Sequence, residues 1–233
     1  GNDIWNEIQS VGLSNIVLDI NSNYNLPLGK LNEYIFGQLL RATNRFEVKE
    51  QNLQFVACGV TIGEIDFLLF DKLTQRLVHL EIATKVYLKK KNNWVGPNLK
   101  DSLALKKEKY TNQLNQLHGL WDNLEEKYQR PIAHVNLILG HQWNRTTDEK
   151  ITNYSYFSFN ESFLKTLKKN NYVWALPQKK DWFIEEEVLS ETLDFYNQIE
   201  PIKKVIELNR SPLVLIKKES TEEVFKCFIT FWE

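Results

Sequence analysis

Gly63-Glu64-Ile65-Asp66-Phe67-Leu68-Leu69-Phe70, followed after a short turn by His79-Leu80-Glu81-Ile82-Ala83-Thr84-Lys85-Val86-Tyr87, sets acids and a lysine inside two apolar, strand-like runs. Side chains of a strand alternate between faces. The spacing therefore predicts Glu64, Asp66 and Leu68 on one face, with Ile65, Phe67 and Leu69 on the other. On the second run Glu81, Ala83, Lys85 and Tyr87 share a face, opposite Ile82, Thr84 and Val86. Two carboxylates and an amine can then converge. Burying such charges costs several kcal/mol each unless they pair or hold a metal, which points to a site. A hairpin with one wet face, carrying a Glu81–Lys85 surface pair, produces the same alternation, and the pattern alone leaves both readings open.

Outward from this pair of runs, Leu28 to Ala42 reads as an amphipathic helix, with Leu31, Tyr34, Ile35, Leu39 and Ala42 at helical spacing after Pro27. Glu33 lies on it. Phe46 to Val48 and Leu53 to Val56 read as extended, and the turn at Asp71 to Arg76 joins the two charged strands into a meander. Lys89 to Lys100 reads as a polar loop punctuated by Trp94-Val95-Gly96-Pro97-Asn98. A long helix is predicted from Leu99 to about Tyr128, then a buried strand from Ile132 to Gly140. The order αβββαβ calls for an α/β fold with a mixed central sheet flanked by helices. Further on, Tyr154 to Phe159 and Tyr172 to Leu176 read as strands around a helix at Glu161 to Lys169. Leu213 to Ile216 and Val224 to Trp232 follow as later strands. This describes a single domain over 1–233, with its core at 28–140 and an additional α+β C-terminal region at 150–233.

The chain's 233 residues, 42% hydrophobic and 25% charged, have ordinary globular composition. No apolar run approaches the ~20 residues of a membrane span, and the N-terminus lacks the pattern of a secretory signal. Cys58 and Cys227 form no metal-spaced motif and suit a reducing, cytoplasmic setting as buried small hydrophobes. Phosphate-binding Gly-rich loops, the dinucleotide fingerprint and the Gly-x-Ser-x-Gly elbow are missing, which argues against nucleotide hydrolase, dehydrogenase and esterase chemistry. The net charge of −1 hides an uneven distribution. Residues 85 to 109 carry eight lysines against Asp101 and Glu108, whereas the chain from Asp181 onward holds twelve acids and six bases. Lys89, Lys90, Lys91, Lys100, Lys106 and Lys107 are thus candidates for phosphate contacts. Trp94 is a candidate for stacking on a base or, alternatively, a loop anchor on the core.

In order, Glu33, Asp66, Glu81 and Lys85 resemble the acid-acid-acid-lysine series of the PD-(D/E)XK nuclease superfamily, carried there on a helix, a strand meander and a following helix. The segments Leu28-Gly29-Lys30-Leu31, Gly63 to Leu68, His79 to Leu88 and Trp94 to Asn98 more closely resemble the family called domain of unknown function 1853. The likeness covers roughly residues 28 to 140. It implies a restriction-endonuclease-like core and metal-dependent cleavage of DNA or RNA phosphodiesters. Asp66 and Glu81 would hold Mg²⁺ or Mn²⁺, Glu33 would serve a second ion or a water, and Lys85 the attacking water or scissile phosphate. Tyr110 and Gln113, three apart on the predicted long helix, are similar to a polar helix signature of recombination-class nucleases. Apart from the resemblance, His79 beside Glu81 is a candidate to support that carboxylate from behind or, alternatively, a histidine simply satisfied within the sheet. One departure from the superfamily pattern stands out: Glu81 lies four residues before Lys85, with Ala83 at the usual acid position. That spacing separates the two backbones by about 13 Å rather than about 7 Å. The other expectation is therefore a module that keeps the fold and binds nucleic acid, or acts as a scaffold, without cleavage.

Overall fold

The computed structural model describes residues 2–11, 26–57, 59–146 and 151–232. Cys58 lies outside them. In chain order the elements are α1 (Asn2–Ser10), α2 (Leu28–Ala42), β1 (Phe46–Ala57), β2 (Val60–Asp71), β3 (Arg76–Lys90), β4 (Asn93–Val95), α3 (Leu103–Gln116), α4 (His118–Tyr128), β5 (Ile132–Arg145), β6 (Ser155–Ser158), α5 (Glu161–Lys169), β7 (Tyr172–Ala175), α6 (Glu186–Thr192), α7 (Glu200–Glu207), β8 (Leu213–Lys218) and β9 (Val224–Thr230). The protein is a mixed α/β fold. It packs as two compact units, one of Gly1–Thr84 with Lys107–Leu139 and one of Lys85–Lys106 with Gly140–Glu233. Strands β3 and β5 and helix α3 each begin in one unit and end in the other. Among the described residues no helix is long and apolar enough to cross a membrane.

In the first unit β1, β2 and β3 form an antiparallel meander, and β5 lies beside β3. Helix α2 starts after Pro27, whose fixed φ suits a helix entry. It buries Leu31, Phe36, Gly37 and Leu40 along one stripe. Phe36 and Leu40 meet Phe67, Leu69, Val78, Leu80 and Ile82, together with Ile4 and Ile8 of α1. Each such side chain, fully buried, contributes about 1.5–3 kcal/mol. Thr43 ends the helix in an extended conformation, and its hydroxyl donates to the Leu40 carbonyl. The opposite sheet face, Ile65, Leu68 and Leu77, packs on Leu117, Trp121 and Leu124.

Two features of this unit differ from the sequence reading. Ile65 packs with Leu68 and not with Phe67 and Leu69, so the predicted alternation slips at Ile65–Asp66. The slip coincides with the end of the β2–β3 ladder, whose last pair is Phe67↔Leu80. The single helix predicted over 99–128 is two helices, α3 and α4, that break at Leu117 without a proline. Leu117 seats its side chain over Gly63, where a Cβ would come within 3.1 Å of Leu117 Cδ1. Tertiary packing thus overrides a continuous helical pattern.

The second unit holds a mixed sheet. Strand β6 pairs in parallel with the end of β5 and with β9, while β9–β8 and β8–β7 are antiparallel. Its core joins Phe157, Phe163, Leu167, Trp174, Val214, Ile216, Cys227 and Ile229. Asn160 caps α5 by accepting the Phe163 N–H, which explains why that helix starts where it does. The lysine-rich stretch predicted as a loop is instead a hairpin: β3 runs to Lys90, turns through Lys91 at φ 53°, and returns as β4 with Trp94 opposite Lys89. Lys91 alone takes the positive φ of this turn.

Candidate functional site

The site is built where β2 leaves β3. One residue past the last ladder pair, the Asp66 carboxylate accepts the Ile82 N–H at 2.8 Å, in place of a backbone carbonyl. Asp66 is buried, at 9% exposure. Burial raises its pKa to about 7, Glu81 adds to the rise, and Glu33 contributes further, against the Ile82 hydrogen bond and Lys30. The site therefore carries more buried negative charge than its neighbours balance.

Glu81 is also buried, and its Oε1 lies 3.1 Å from His79 Nε2 and 3.2 Å from Gln113 Nε2. Gln113 donates as well to the Glu64 carbonyl at 2.9 Å, so α3 bridges the two parted strands. His79 is fully buried, with Trp121 against its ring at 4.7 Å and His134 Nδ1 at 3.1 Å from its own Nδ1. The Tyr110 hydroxyl is buried without a hydrogen-bond partner, and burial followed by the Glu81 charge pushes it well above the ordinary tyrosine value. Glu33 on α2 takes Lys30 Nζ at 2.7 Å, and the same ammonium reaches Glu64 at 3.4 Å. Asn32, next to Glu33, donates to Thr84 at 2.8 Å and fixes the helix against β3. Asp66, Glu81, Glu33, His79, Tyr110 and Gln113 thus share one electrostatic neighbourhood.

Lys85, expected to complete this set, lies in the second unit and forms an ion pair with Asp101. Asp101 is itself held by accepting the Ser102 N–H through its side chain and the Gly96 N–H through its carbonyl. The Tyr87 hydroxyl, two residues from Lys85, is buried without a partner, and burial followed by Asp101 pushes it up to about 12. Lys89 Nζ sits 4.8 Å from the Trp94 ring centre, and Lys90 Nζ sits 4.5 Å from that of Trp232. Lys91 and Lys100 are exposed, Lys106 is half-buried and Lys107 exposed on α3. Trp94 is half-buried with its face taken by Lys89, an arrangement between the two readings given to it from sequence.

Sequence reasoning did not single out Lys30, Asp101, His134 or Trp121. Each acts on a site residue across a sequence gap, and only Lys30, three before Glu33 on a helix, carried a spacing signal that points to its partner.

Among the described residues no group of three or more His, Cys, Asp or Glu is arranged to hold a metal ion. The donor chemistry at Asp66 and Glu81 nonetheless fits a hard divalent cation. Both are carboxylates, both are buried, each has hydrogen bonds from the chain on only some of its lone pairs, and the Tyr110 hydroxyl beside them is orphaned.

Fold and site together define a mixed α/β protein with a buried carboxylate cluster at the splay of a β-meander. Residues 13–227 match the family described as a domain of unknown function (DUF1853), and the chain belongs to that family. No curated protein and no solved structure matches it.

Proposed function

We propose that the protein is a metal-dependent phosphodiesterase of the PD-(D/E)XK nuclease type, acting on DNA or RNA. The observation that carries this reading is the Asp66 carboxylate, buried, bound to one backbone N–H and raised to about 7 by burial and by Glu81. A chain gains nothing in packing from two adjacent buried acids without a matching base, whereas a cation between them removes the repulsion. Asp66 and Glu81 would hold Mg²⁺ or Mn²⁺, which acidifies a bound water and stabilises charge on a phosphoryl group.

The chain's own residues do the rest. Gln113 and His79 hold Glu81 by one oxygen, Oε1, and leave Oε2 for a ligand. Ile82 fixes the rotamer of Asp66. Lys30 neutralises Glu33, which leaves that carboxylate as a hydrogen-bond acceptor able to orient a water. Lys85, paired with Asp101 in the second unit, is given no part in this arrangement. Lys89, Lys90 and Lys91 on the β3–β4 hairpin present ammonium groups suited to flanking phosphates.

A second reading, a nucleic-acid-binding or scaffold module without cleavage, is favoured by one observation: Lys85 is engaged by Asp101. Incubation of the purified protein with single-stranded, duplex and branched DNA and with RNA, in Mg²⁺ and in Mn²⁺, separates the two. Cleavage that disappears in Asp66→Asn supports the nuclease. Binding of those substrates with no product under either metal supports the module, and cleavage retained in Asp66→Asn removes the assignment of this site.

A further inference from the structure

We infer that His79 and His134 form a tautomer-locked donor chain that positions Glu81, with His134 as its outer member; the metal-facing part of this inference rests on the function proposed above. The geometry is a line of three groups. His134 Nδ1 lies 3.1 Å from His79 Nδ1, and His79 Nε2 lies 3.1 Å from Glu81 Oε1. An ionised carboxylate only accepts hydrogen bonds, so His79 must carry its proton on Nε2. In the neutral ring Nδ1 is then bare and can only accept. The facing nitrogen of His134 must therefore be the donor, which fixes His134 as the Nδ1–H tautomer.

Burial, and after it the neighbouring His79, lowers the pKa of His134, in keeping with a neutral ring. Trp121 fixes both rings, at 4.7 Å from His79 and 4.8 Å from His134, and its own Nε1–H is tied to the Leu114 carbonyl. His79 is 0% exposed, so bulk solvent does not reach either nitrogen. A histidine that packs as an apolar filler has no need of both nitrogens in register with two polar partners. Here the proton order runs inward from His134 to His79 to Glu81, and its end point is the oxygen that Gln113 also holds. His79 and His134 are positioning residues: they aim one oxygen of Glu81 and leave the other for the cation.

Long-range proton–nitrogen correlation spectra of the metal-free protein at neutral pH read the tautomers directly. The expected result is His79 protonated on Nε2 and His134 protonated on Nδ1, the less common form of a free imidazole. His134 found as the Nε2–H tautomer overturns the chain. Mn²⁺ affinity measured by calorimetry then tests its consequence. His134→Ala should weaken Mn²⁺ binding by about 10-fold, the scale of losses at groups that orient metal ligands. His134→Asn places an amide N–H where Nδ1–H stood and should restore affinity to within about 3-fold of wild type. Equal affinity in His134→Ala and wild type overturns the positioning role. Wild-type protein that binds no Mn²⁺ removes the proposed metal site instead, while the tautomer spectra still decide the chain.

Discussion

The Asp66 carboxylate accepts the hydrogen bond from the Ile82 N–H that a strand carbonyl would otherwise accept, at the point where β2 and β3 part. A side chain that closes a sheet ladder is held as firmly as the backbone it replaces. The same substitution of side chain for carbonyl buries a charge beside Glu81, and the two effects oppose one another in the metal-free protein.

That opposition has a pH signature. The folded pKa of Asp66, about 7, lies above the unfolded value of roughly 3.9. Folding then favours the protonated acid. The stability linked to this group is full below about pH 4 and is lost as pH rises through 7, up to about 4 kcal/mol. Asp66→Asn keeps an acceptor for Ile82 and removes the charge, so in chelator its urea midpoint should exceed wild type at pH 8 and match it near pH 4. A wild-type midpoint that climbs from pH 4 to 8 relative to the variant contradicts this.

Divalent cation should narrow that gap without closing it. At about 100 times its dissociation constant a cation that binds only the folded state adds about 2.7 kcal/mol. Mn²⁺ is expected to raise the melting temperature of wild type at pH 7.5 and to leave Asp66→Asn and Glu81→Gln unmoved. Equal shifts in all three proteins would place the ion elsewhere.

Asp71 provides a contrast away from the site. Arg45 Nε and Nη2 donate to its two oxygens at 2.9 and 2.7 Å, the Thr74 hydroxyl and Leu73 N–H add to these, and the pKa falls to about 2. This stability is present above the unfolded pKa of roughly 3.9 and is lost as pH falls through about 2. Asp71→Asn should cost about 2–3 kcal/mol at pH 7 and little at pH 2, read from denaturant midpoints, with Mn²⁺ affinity unchanged.

Gly140 has φ +148°, and a Cβ there would overlap the Lys85 carbonyl oxygen. Backbone cannot swing aside as a side chain can. Gly140→Ala should lose at least about 3 kcal/mol or fail to accumulate as folded protein. A variant within about 0.5 kcal/mol of wild type would show that β5 has room to shift.

Nucleic-acid affinity should fall with salt at a log–log slope of roughly −0.7 to −0.9 per lysine–phosphate contact. Replacing Lys89, Lys90 and Lys91 by Glu should flatten the slope and weaken binding evenly across sequences, because phosphates carry no sequence information. Filter binding between low and moderate salt measures both. Identical slopes in the two proteins would take the β3–β4 hairpin out of the interface.

Much of this was legible along the chain because the signals are local. The sequence bounds of Leu28–Ala42 and Glu161–Lys169 coincide with the observed helices, the first on the strength of its apolar stripe after Pro27. Asp66 and Glu81 stood out as charges in apolar runs. The β3–β4 hairpin was hidden, since Lys89, Lys90 and Lys91 mask the strand period with charge. His134 and Asp101 were hidden for a different reason: they meet His79 and Lys85 across 55 and 16 residues, and no local pattern encodes such a meeting. The break at Leu117 needed Gly63, which only the folded sheet brings beneath the helix.

The interleaving of the two units bears on how the chain is made. Because the first takes Lys107–Leu139 and the second takes Lys85–Lys106, no single cut yields either one whole. During synthesis the first unit has all its segments only after Leu139 has emerged, and residues 85–106 must then await the strands that follow Gly140.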